Sequence, residues 1–175
     1  MWTPLRRGAR RRARLRKDGT GLPHGLSSIL ATRDVKAGVA ARCQRDVLGR
    51  LAAHAAASFK LDEAAVFDQL MARERLGSTG IGRGVAIPHA MASVPVVRGV
   101  CFALKRPIDF DAVDDVPVDL VFLLLAPKGD DTGHIKALSR VARRLRVDGV
   151  QASLRGARSD QALYEALMGD ERVAA

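Results

Sequence analysis

The sequence is poor in cysteine, in aromatic residues and in long apolar runs. Its 175 residues include two cysteines, one tryptophan and one tyrosine. Cys43 and Cys101 lie far apart and form no Cys-x-x-Cys or Cys/His spacing, which argues against a zinc site or a redox motif. We expect both thiols to be buried and reduced. The scarcity of aromatic residues implies a core of Leu, Val, Ile and Ala.

No apolar segment is long enough for a membrane-spanning helix. The longest run, residues 118–126, is interrupted by Asp119, and it is far shorter than the roughly 20 residues that such a helix needs. We interpret it as a buried strand. The basic N-terminus is not followed by the apolar segment and small-residue cleavage site of a secretory signal. These features predict a cytoplasmic protein without membrane insertion.

Positive charge is concentrated at the start of the chain. The formal net charge is +10, and residues 1–25 carry eight Arg and Lys side chains against one acidic residue, Asp18. Such a run repels itself and cannot bury a core, so we predict a basic, disordered tail over 1–25 and one domain over 26–175. The tail could bind nucleic acid by counterion release. No folded nucleic-acid-binding motif accompanies it, so a nucleic-acid partner is not expected.

Helical and strand patterns alternate along the predicted domain. Apolar residues at helical spacing predict helices over 42–57, 62–76, 131–145 and 159–168. Runs rich in Val, Phe and Leu predict strands over 34–39, 85–87, 96–104 and 118–126, of which the last two should be neighbours. Asp62 and Ser159 are the expected N-caps of their helices, and Asp131 or Thr132 that of the third. This alternation indicates an α/β or α+β sandwich.

A glycine-rich segment is the most unusual local feature. Residues 77–84 read GSTGIGRG and precede a short apolar stretch, Pro88 and His89. A P-loop requires Lys and Ser/Thr where Arg83 and Gly84 stand, and the glycines also lack the spacing of a dinucleotide-binding loop. Glycines nevertheless allow positive φ angles, and successive free amides can cradle a phosphate.

His89 is a candidate nucleophile. Pro88 restricts the local backbone, so the imidazole can be presented at the end of a strand. Imidazole accepts a phosphoryl group well near neutral pH, because one nitrogen can be unprotonated while a hydrogen bond holds the other. Stabilisation of the transferred phosphoryl oxygens would need donors. The candidates are Arg73, Ser78, Thr79 and His134.

These residues also have alternative interpretations. His89 could be a structural histidine, Arg73 a solvated charge at a helix end, and His134 a polar first-turn residue. The two histidines could bind a metal, but no carboxylate or cysteine stands beside them at ligand spacing. Spacing alone does not decide between these roles.

The segment 73–89, RERLGSTGIGRGVAIPH, closely resembles the active-site stretch of the type-2 EIIA proteins of the bacterial phosphotransferase system. The similarity continues through PIDFDA at 107–112, PVDLVF at 117–122 and HIKALSRVARRL at 134–145. It covers about residues 26–170 and leaves out only the basic tail. Within the family, the form of the glycine loop and the free-standing domain are most similar to the nitrogen-regulatory members.

The resemblance implies a phosphocarrier without a cofactor. An HPr-like protein, itself charged from phosphoenolpyruvate by an enzyme I, would donate a phosphoryl group to Nε2 of His89. Arg73 and His134 match the family's active-site arginine and second histidine. The loop beside the site would consist of Ser78, Thr79 and Gly80.

The resemblance also implies a fold and two kinds of downstream partner. The fold would be a mixed, about five-stranded sheet with helices on both faces. The downstream partner would be a regulatory target in nitrogen, carbon or potassium metabolism. Alternatively, it would be the permease domain of a mannitol- or fructose-type uptake system.

Overall fold

The computed structural model describes residues 25–169. The tail predicted over 1–25 therefore lies outside the described residues apart from Gly25, and so does the end of the predicted domain, 170–175. Two short 3-10 helices, Leu26–Ser28 and Thr32–Asp34, open the described part. Leu26 and Leu30 are buried in the core.

Helices and strands alternate through the rest of the described chain. In chain order they are β1 (Val35–Val39), α1 (Gln44–Phe59), α2 (Glu63–Arg75), β2 (Gly80–Gly82), β3 (Val85–Ala86), β4 (His89–Ala92), β5 (Arg98–Ile108), β6 (Val118–Pro127), α3 (Asp131–Leu145), α4 (Asp148–Gly156) and α5 (Asp160–Met168). The alternation predicted from the sequence is confirmed.

The strands form one mixed sheet. Its order is β1-β5-β6-β3-β2, and β4 also pairs with β6. The pairs β1/β5, β3/β6 and β4/β6 are parallel, whereas β5/β6 and β2/β3 are antiparallel. The two long strands are thus neighbours, as the sequence predicted.

Helices cover both faces of the sheet, as expected. On β6, Phe122 and Leu124 pack with α3, α4 and α5, whereas Leu123 and Leu125 pack with α1 and α2. Successive side chains of a strand point to opposite faces, so a strand that is covered on both sides must be apolar at nearly every position. This explains the uninterrupted apolar run that follows Asp119.

Capping residues mark the helix starts. Asp62 accepts a hydrogen bond from the backbone N–H of Ala65 at 2.7 Å, and Ser159 accepts one from that of Ala162 at 3.1 Å, both as predicted. The predicted cap of α3 was wrong, because Asp130 and not Asp131 or Thr132 accepts from the backbone N–H of Gly133, at 2.9 Å. Three consecutive polar residues can each cap a helix, so sequence alone does not fix the start.

The two cysteines differ in environment. Cys101 is buried on β5, and burial raises the pKa of its thiol to about 12. Cys43 was expected to be buried but is exposed, since it is the residue immediately before α1. The described residues contain no helix that is both long and apolar enough to cross a membrane.

Candidate functional site

The glycine-rich segment folds as a small hairpin and not as an open loop. The strands β2 and β3 pair, with Gly82 opposite Val85. The two residues between them, Arg83 and Gly84, have φ angles of 59° and 77°, and a two-residue type I′ turn requires positive φ at both of these positions. The backbone N–H of Arg83 donates to Asp114 at 2.7 Å, which ties the turn to a neighbouring loop.

A break between two short strands places His89. Both β3 and β4 run alongside β6, but β3 pairs with Leu120 and Val121 whereas β4 begins at His89, opposite Leu124. Pro88 lies at the break and has no N–H to donate to a ladder. Its carbonyl accepts from the backbone N–H of Leu124 at 2.9 Å. His89 therefore projects from a backbone that is fixed on both sides of the break.

Two contacts define the tautomer of the His89 ring. Nε of Arg73 lies 3.0 Å from Nε2 of His89, and Nδ1 of His89 lies 2.8 Å from the carbonyl oxygen of Ile87. A guanidinium can only donate, so Nε2 must accept. A carbonyl can only accept, so Nδ1 must carry the proton. The neutral ring thus has its lone pair on Nε2, the nitrogen named by the sequence resemblance.

Burial and neighbouring charge keep this imidazole neutral. The pKa of His89 lies below its ordinary value of 6.5, chiefly because burial disfavours the imidazolium. Repulsion by Arg73 and His134 lowers this pKa further, whereas the hydrogen bond to Ile87 opposes the shift. A neutral ring at physiological pH is the form that can act as a nucleophile.

Arg73 is held at the end of α2 by the loop that follows it. One of its terminal nitrogens, Nη1, donates to the carbonyl oxygen of Gly77 at 2.9 Å, while Nε faces His89. The contact with Gly77 fixes the plane of the guanidinium beside the imidazole. A permanent cation thereby lies where the oxygens of a phosphoryl group on Nε2 would need compensation.

His134 completes the group from the first turn of α3. Its ring centroid lies 5.1 Å from that of His89, with the two planes tilted by 53°. Nε2 of His134 is buried and has no hydrogen-bond partner among the described residues. The pKa of His134 is lowered, first by burial, although Asp131 and Asp130 oppose the shift. A buried polar atom without a partner is costly, which makes it a natural point for a ligand to bind.

The other predicted site residues turn their hydrogen-bonding groups toward the protein. The Ser78 hydroxyl donates to the carbonyl oxygen of Phe110 at 2.6 Å and accepts from the backbone N–H of Gly80 at 3.0 Å. The Thr79 hydroxyl donates to Glu74 at 2.7 Å. A Cβ on Gly80 would lie 2.8 Å from that of Ala112, so only glycine fits there. In this structure, these three residues stabilise the backbone of the glycine-rich segment through contacts within the protein.

Glu74 is a residue of the site that sequence reasoning missed. It is 9% exposed and accepts from the backbone N–H of Thr79 at 2.8 Å and from Nε2 of Gln44 at 3.0 Å, besides the Thr79 hydroxyl. The sequence did contain a signal. Glu74 lies in the last turn of α2, where a negative charge interacts unfavourably with the helix dipole. A carboxylate at such a position suggests that hydrogen bonds to other parts of the protein stabilise it.

The arrangement combines a neutral nucleophile with donors on two sides. Nε2 of His89 carries the lone pair, Arg73 supplies a fixed cation, and His134 supplies an unpaired ring nitrogen. Among residues 25–169, no group of three or more His, Cys, Asp or Glu side chains could hold a metal ion. The geometry suits acceptance of a phosphoryl group by an imidazole, stabilised by protein donors.

Comparisons with known proteins identify the family of the chain. The family model described as "Phosphoenolpyruvate-dependent sugar phosphotransferase system, EIIA 2" matches residues 28–169. A "Nitrogen regulatory protein" of Bradyrhizobium diazoefficiens is 42% identical over 143 residues, which are 81% of this chain and 94% of the relative. Its Escherichia coli K12 counterpart is 38% identical over 148 residues, 83% of this chain and 91% of the relative.

A solved structure is similar as well. The nitrogen regulatory protein IIA-Ntr of Neisseria meningitidis has a TM-score of 0.73 and 30% sequence identity, with 81% of this chain and 98% of that chain covered. The mixed sheet with helices on both faces is therefore also the fold of this relative.

Proposed function

The chain belongs to the EIIA 2 family of the phosphoenolpyruvate-dependent sugar phosphotransferase system, and from this premise we propose that it carries a phosphoryl group on His89. The observation that carries the proposal is the pair of contacts from which the tautomer of His89 follows. Its Nδ1–H is held by the Ile87 carbonyl at 2.8 Å, and its Nε2 accepts from Arg73 at 3.0 Å. The reactive nitrogen is thus unprotonated before any partner arrives.

The transfer step needs only protein groups. Nε2 of His89 attacks the phosphorus of a phosphohistidine on an HPr-like donor, the new N–P bond forms, and the donor's N–P bond breaks. The electron pair of the broken bond returns to the donor nitrogen. His89 keeps its proton on Nδ1, where Ile87 stabilises the positive charge that phosphorylation places on the ring.

The donors around His89 then exchange partners. Nε of Arg73 moves its hydrogen bond from Nε2 of His89 to a phosphoryl oxygen, while its contact to Gly77 keeps the guanidinium in place. Nε2 of His134, when protonated, donates to another phosphoryl oxygen and so gains the partner that it lacks. Charged hydrogen bonds that form only during transfer lower the barrier more than they strengthen donor binding.

An apolar rim offers a docking surface for the donor. We define this rim as three exposed side chains that neighbour, in sequence, either the site or a residue packed against it: Leu76, Val113 and Ile135. They are 85%, 83% and 63% exposed, respectively. Leu76 adjoins Gly77, Val113 adjoins the Ala112 that contacts Gly80, and Ile135 follows His134. Exposed apolar side chains that lie close in sequence to the site are candidates for contact with a protein partner.

The physiological role that we propose is regulatory. Relatives that cover most of this chain are named nitrogen regulatory proteins, and the phosphorylation state of His89 would control binding of a target protein in the cytoplasm. Delivery of the phosphoryl group to a mannitol- or fructose-type sugar permease is the alternative, because the family description names a sugar phosphotransferase system.

Reconstitution tests the proposal. The chain is incubated with phosphoenolpyruvate, enzyme I and the HPr-like protein, with and without a sugar permease domain. We expect one acid-labile, alkali-stable phosphoryl group in the wild type and none in His89→Ala, with His54→Ala as the control histidine. Labelling of His89→Ala equal to that of the wild type would overturn the assignment, and onward transfer to the permease would favour the sugar role.

A second arm tests the docking rim. Leu76→Ser should raise the KM for the phosphorylated donor several-fold and leave kcat nearly unchanged. Val147→Ser is the matched control, because Val147 is 49% exposed but lies beyond α3. Equal effects of the two variants would remove the rim from the proposal.

A further inference from the structure

The Glu74 carboxylate accepts three hydrogen bonds from residues outside its own helix. It accepts from the backbone N–H and the hydroxyl of Thr79 and from the side-chain amide of Gln44. Glu74 and Thr79 are 9% and 4% exposed, so these bonds lie in the protein interior. Buried hydrogen bonds to a carboxylate are strong and are costly to break.

Thr79 connects this carboxylate to the residue that binds the imidazole. Its carbonyl oxygen accepts from the backbone N–H of Ile87 at 2.9 Å. Ile87 is 1% exposed, and its own carbonyl oxygen lies 2.8 Å from Nδ1 of His89. Glu74 and His89 are thus joined by a continuous series of hydrogen bonds through Thr79 and Ile87.

The direction of the Ile87 carbonyl depends on its two neighbouring peptide groups. The peptide before it is held by Thr79, and the carbonyl of Pro88 after it accepts from the backbone N–H of Leu124 at 2.9 Å. Residues that precede proline have a restricted backbone. If Thr79 shifts, the first of these two anchors is lost, and the Ile87 carbonyl can turn away from Nδ1.

We propose that Glu74 is a positioning residue for phosphoryl transfer, which selects the Nδ1–H tautomer of His89 through Thr79 and Ile87. The inference rests on the proposed function. It deepens that function by assigning the control of the reactive nitrogen to a side chain that does not touch the imidazole. A rotated Ile87 carbonyl would no longer hold the proton on Nδ1, and rings with the proton on Nε2 cannot attack through that nitrogen.

Glu74→Gln is the main test variant because it preserves volume. The amide oxygen can keep the N–H donors of Thr79 and Gln44, but the NH₂ group faces the Thr79 hydroxyl, which must then accept instead of donate. All three bonds also lose the charge of the carboxylate. Thr79→Val is the second variant. It removes the hydroxyl bond to Glu74 but keeps both backbone bonds of Thr79. Thr79→Ser restores the hydroxyl and serves as the rescue.

The first measurement is the tautomer of His89 by nitrogen NMR of the imidazole in the free, full-length protein. It requires no phosphoryl donor and so does not depend on the proposed function. We expect the Nδ1–H form to dominate in the wild type and in Thr79→Ser. In Glu74→Gln and Thr79→Val, the Nε2–H form should increase measurably.

The second measurement is rapid-quench transfer from the phosphorylated donor. A lost hydrogen bond to a charged group corresponds to a rate loss of about tenfold or more. We expect that loss in kcat for Glu74→Gln and a smaller one for Thr79→Val, with KM for the donor nearly unchanged. Asp34→Asn is the matched control, because it alters another buried carboxylate, 2% exposed, which contacts His54 and is not part of this hydrogen-bond series.

The outcomes separate the two proposals. If the wild type takes no phosphoryl group but Glu74→Gln changes the tautomer, the proposed function fails and the control of the tautomer stands. If the wild type is phosphorylated while Glu74→Gln and Thr79→Val keep both the tautomer and the rate, the positioning role is overturned. It is also overturned if Asp34→Asn slows transfer as much as Glu74→Gln at equal loss of stability.

Discussion

Nε of Arg73 donates a hydrogen bond of 3.0 Å to Nε2 of His89, so the nitrogen proposed to attack phosphorus is covered by a cation before the reaction. This bond cannot survive phosphorylation, because the lone pair that accepts it becomes the N–P bond. The guanidinium must therefore transfer its donor to the incoming phosphoryl group. The same contact lowers the pKa of His89 in the resting state, although less than burial does.

This geometry predicts unequal effects of two Arg73 substitutions. Arg73→Lys keeps the charge but cannot contact both Gly77 and His89 with a planar group, so it should slow transfer more than it changes stability. Arg73→Ala should be slower still, by about 30-fold to 1000-fold, which corresponds to about 2–4 kcal/mol of transition-state stabilisation.

Arg75→Ala provides the control for Arg73. It removes a cation from the same turn of α2, but this side chain is exposed and makes no hydrogen bond or ion pair within the described residues. Rapid-quench transfer assays and thermal melts should be run together. Transfer by Arg73→Ala at the rate of Arg75→Ala would contradict a catalytic role, and slow transfer that only follows unfolding would make Arg73 structural.

The lowered pKa of His89 predicts a dependence of stability on pH. In the unfolded chain, a histidine gains its proton near 6.5, whereas folded His89 gains it only at lower pH. Between these two values, the unfolded state binds more protons, so the free energy of unfolding decreases as the pH falls below 6.5. Well above pH 6.5, His89 is neutral in both states and does not change the free energy of unfolding with pH.

His89→Gln tests this dependence, because glutamine does not titrate. Urea denaturation at a series of pH values should give stability curves that run parallel above pH 6.5 and diverge below it, with the wild type falling more steeply. The divergence should stop once folded His89 is also protonated. Curves that remain parallel down to pH 5 would show that His89 has no lowered pKa in the folded protein.

The unpaired Nε2 of His134 predicts that activity and stability change independently. His134→Leu removes a buried polar atom that has no partner in the described residues, so stability should stay level or rise. Phosphoryl transfer should nevertheless slow by about tenfold or more, since a hydrogen-bond donor to the phosphoryl group is lost. Parallel melts and transfer assays on the same preparations measure both effects.

His54→Leu is the matched control for His134→Leu. His54 contacts the buried Asp34 carboxylate at 3.3 Å, so its removal leaves that group without the histidine. A loss of about 1–3 kcal/mol in stability is expected, with little change in transfer. A similar destabilisation in His134→Leu would contradict an unsatisfied ring nitrogen in the resting state.

Much of the fold could be predicted from the sequence because its signals are local or periodic. The apolar run on β6 reflects burial on both faces of the sheet, and the caps Asp62 and Ser159 mark their helices directly. The strands β2 and β4 were not predicted. They have only three and four residues: β2 pairs with β3 in a tight hairpin of glycines, and β4 forms because it pairs with β6, which is distant in sequence.

The site divides in the same way. His89, Arg73 and His134 carry side chains whose chemistry can be recognised in a sequence, and the structure brings them together. The carbonyl oxygen of Ile87, which holds Nδ1 of His89, could not be predicted, because every residue has a carbonyl and only the fold gives it a direction. The role of Glu74 is absent from the sequence prediction as well, because the sequence indicates Thr79 as a donor to phosphate and does not show that its hydroxyl and N–H point to Glu74.

Two glycines should respond oppositely to alanine. At Gly80, a new Cβ would lie 2.8 Å from that of Ala112, so Gly80→Ala should cost about 1–3 kcal/mol and displace the segment beneath His89. Gly49 lies within α1, where the nearest atom to a new Cβ is 3.8 Å away. Gly49→Ala should stabilise by about 0.5–1 kcal/mol, because glycine disfavours helix interiors. Chemical denaturation of both variants decides this, and a neutral Gly80→Ala would refute the close approach.

The predicted boundary between tail and domain can be located by truncation. Leu26, Ile29 and Leu30 are 0%, 7% and 2% exposed, and the carbonyl oxygen of Ile29 accepts from the backbone N–H of Gly99 on β5 at 2.7 Å. A chain that begins at Gly25 keeps all of these contacts. We expect it to retain the stability and the transfer rate of the full chain at physiological salt, where attraction by distant exposed charges is largely screened.

A chain that begins at Arg33 loses three buried side chains worth roughly 1.5–3 kcal/mol each, together with the bond to Gly99, and should be strongly destabilised. Urea titrations and transfer assays on the two truncated chains measure both effects. A large loss of transfer on removal of residues 1–24 alone would mean that the basic segment takes part in docking the donor.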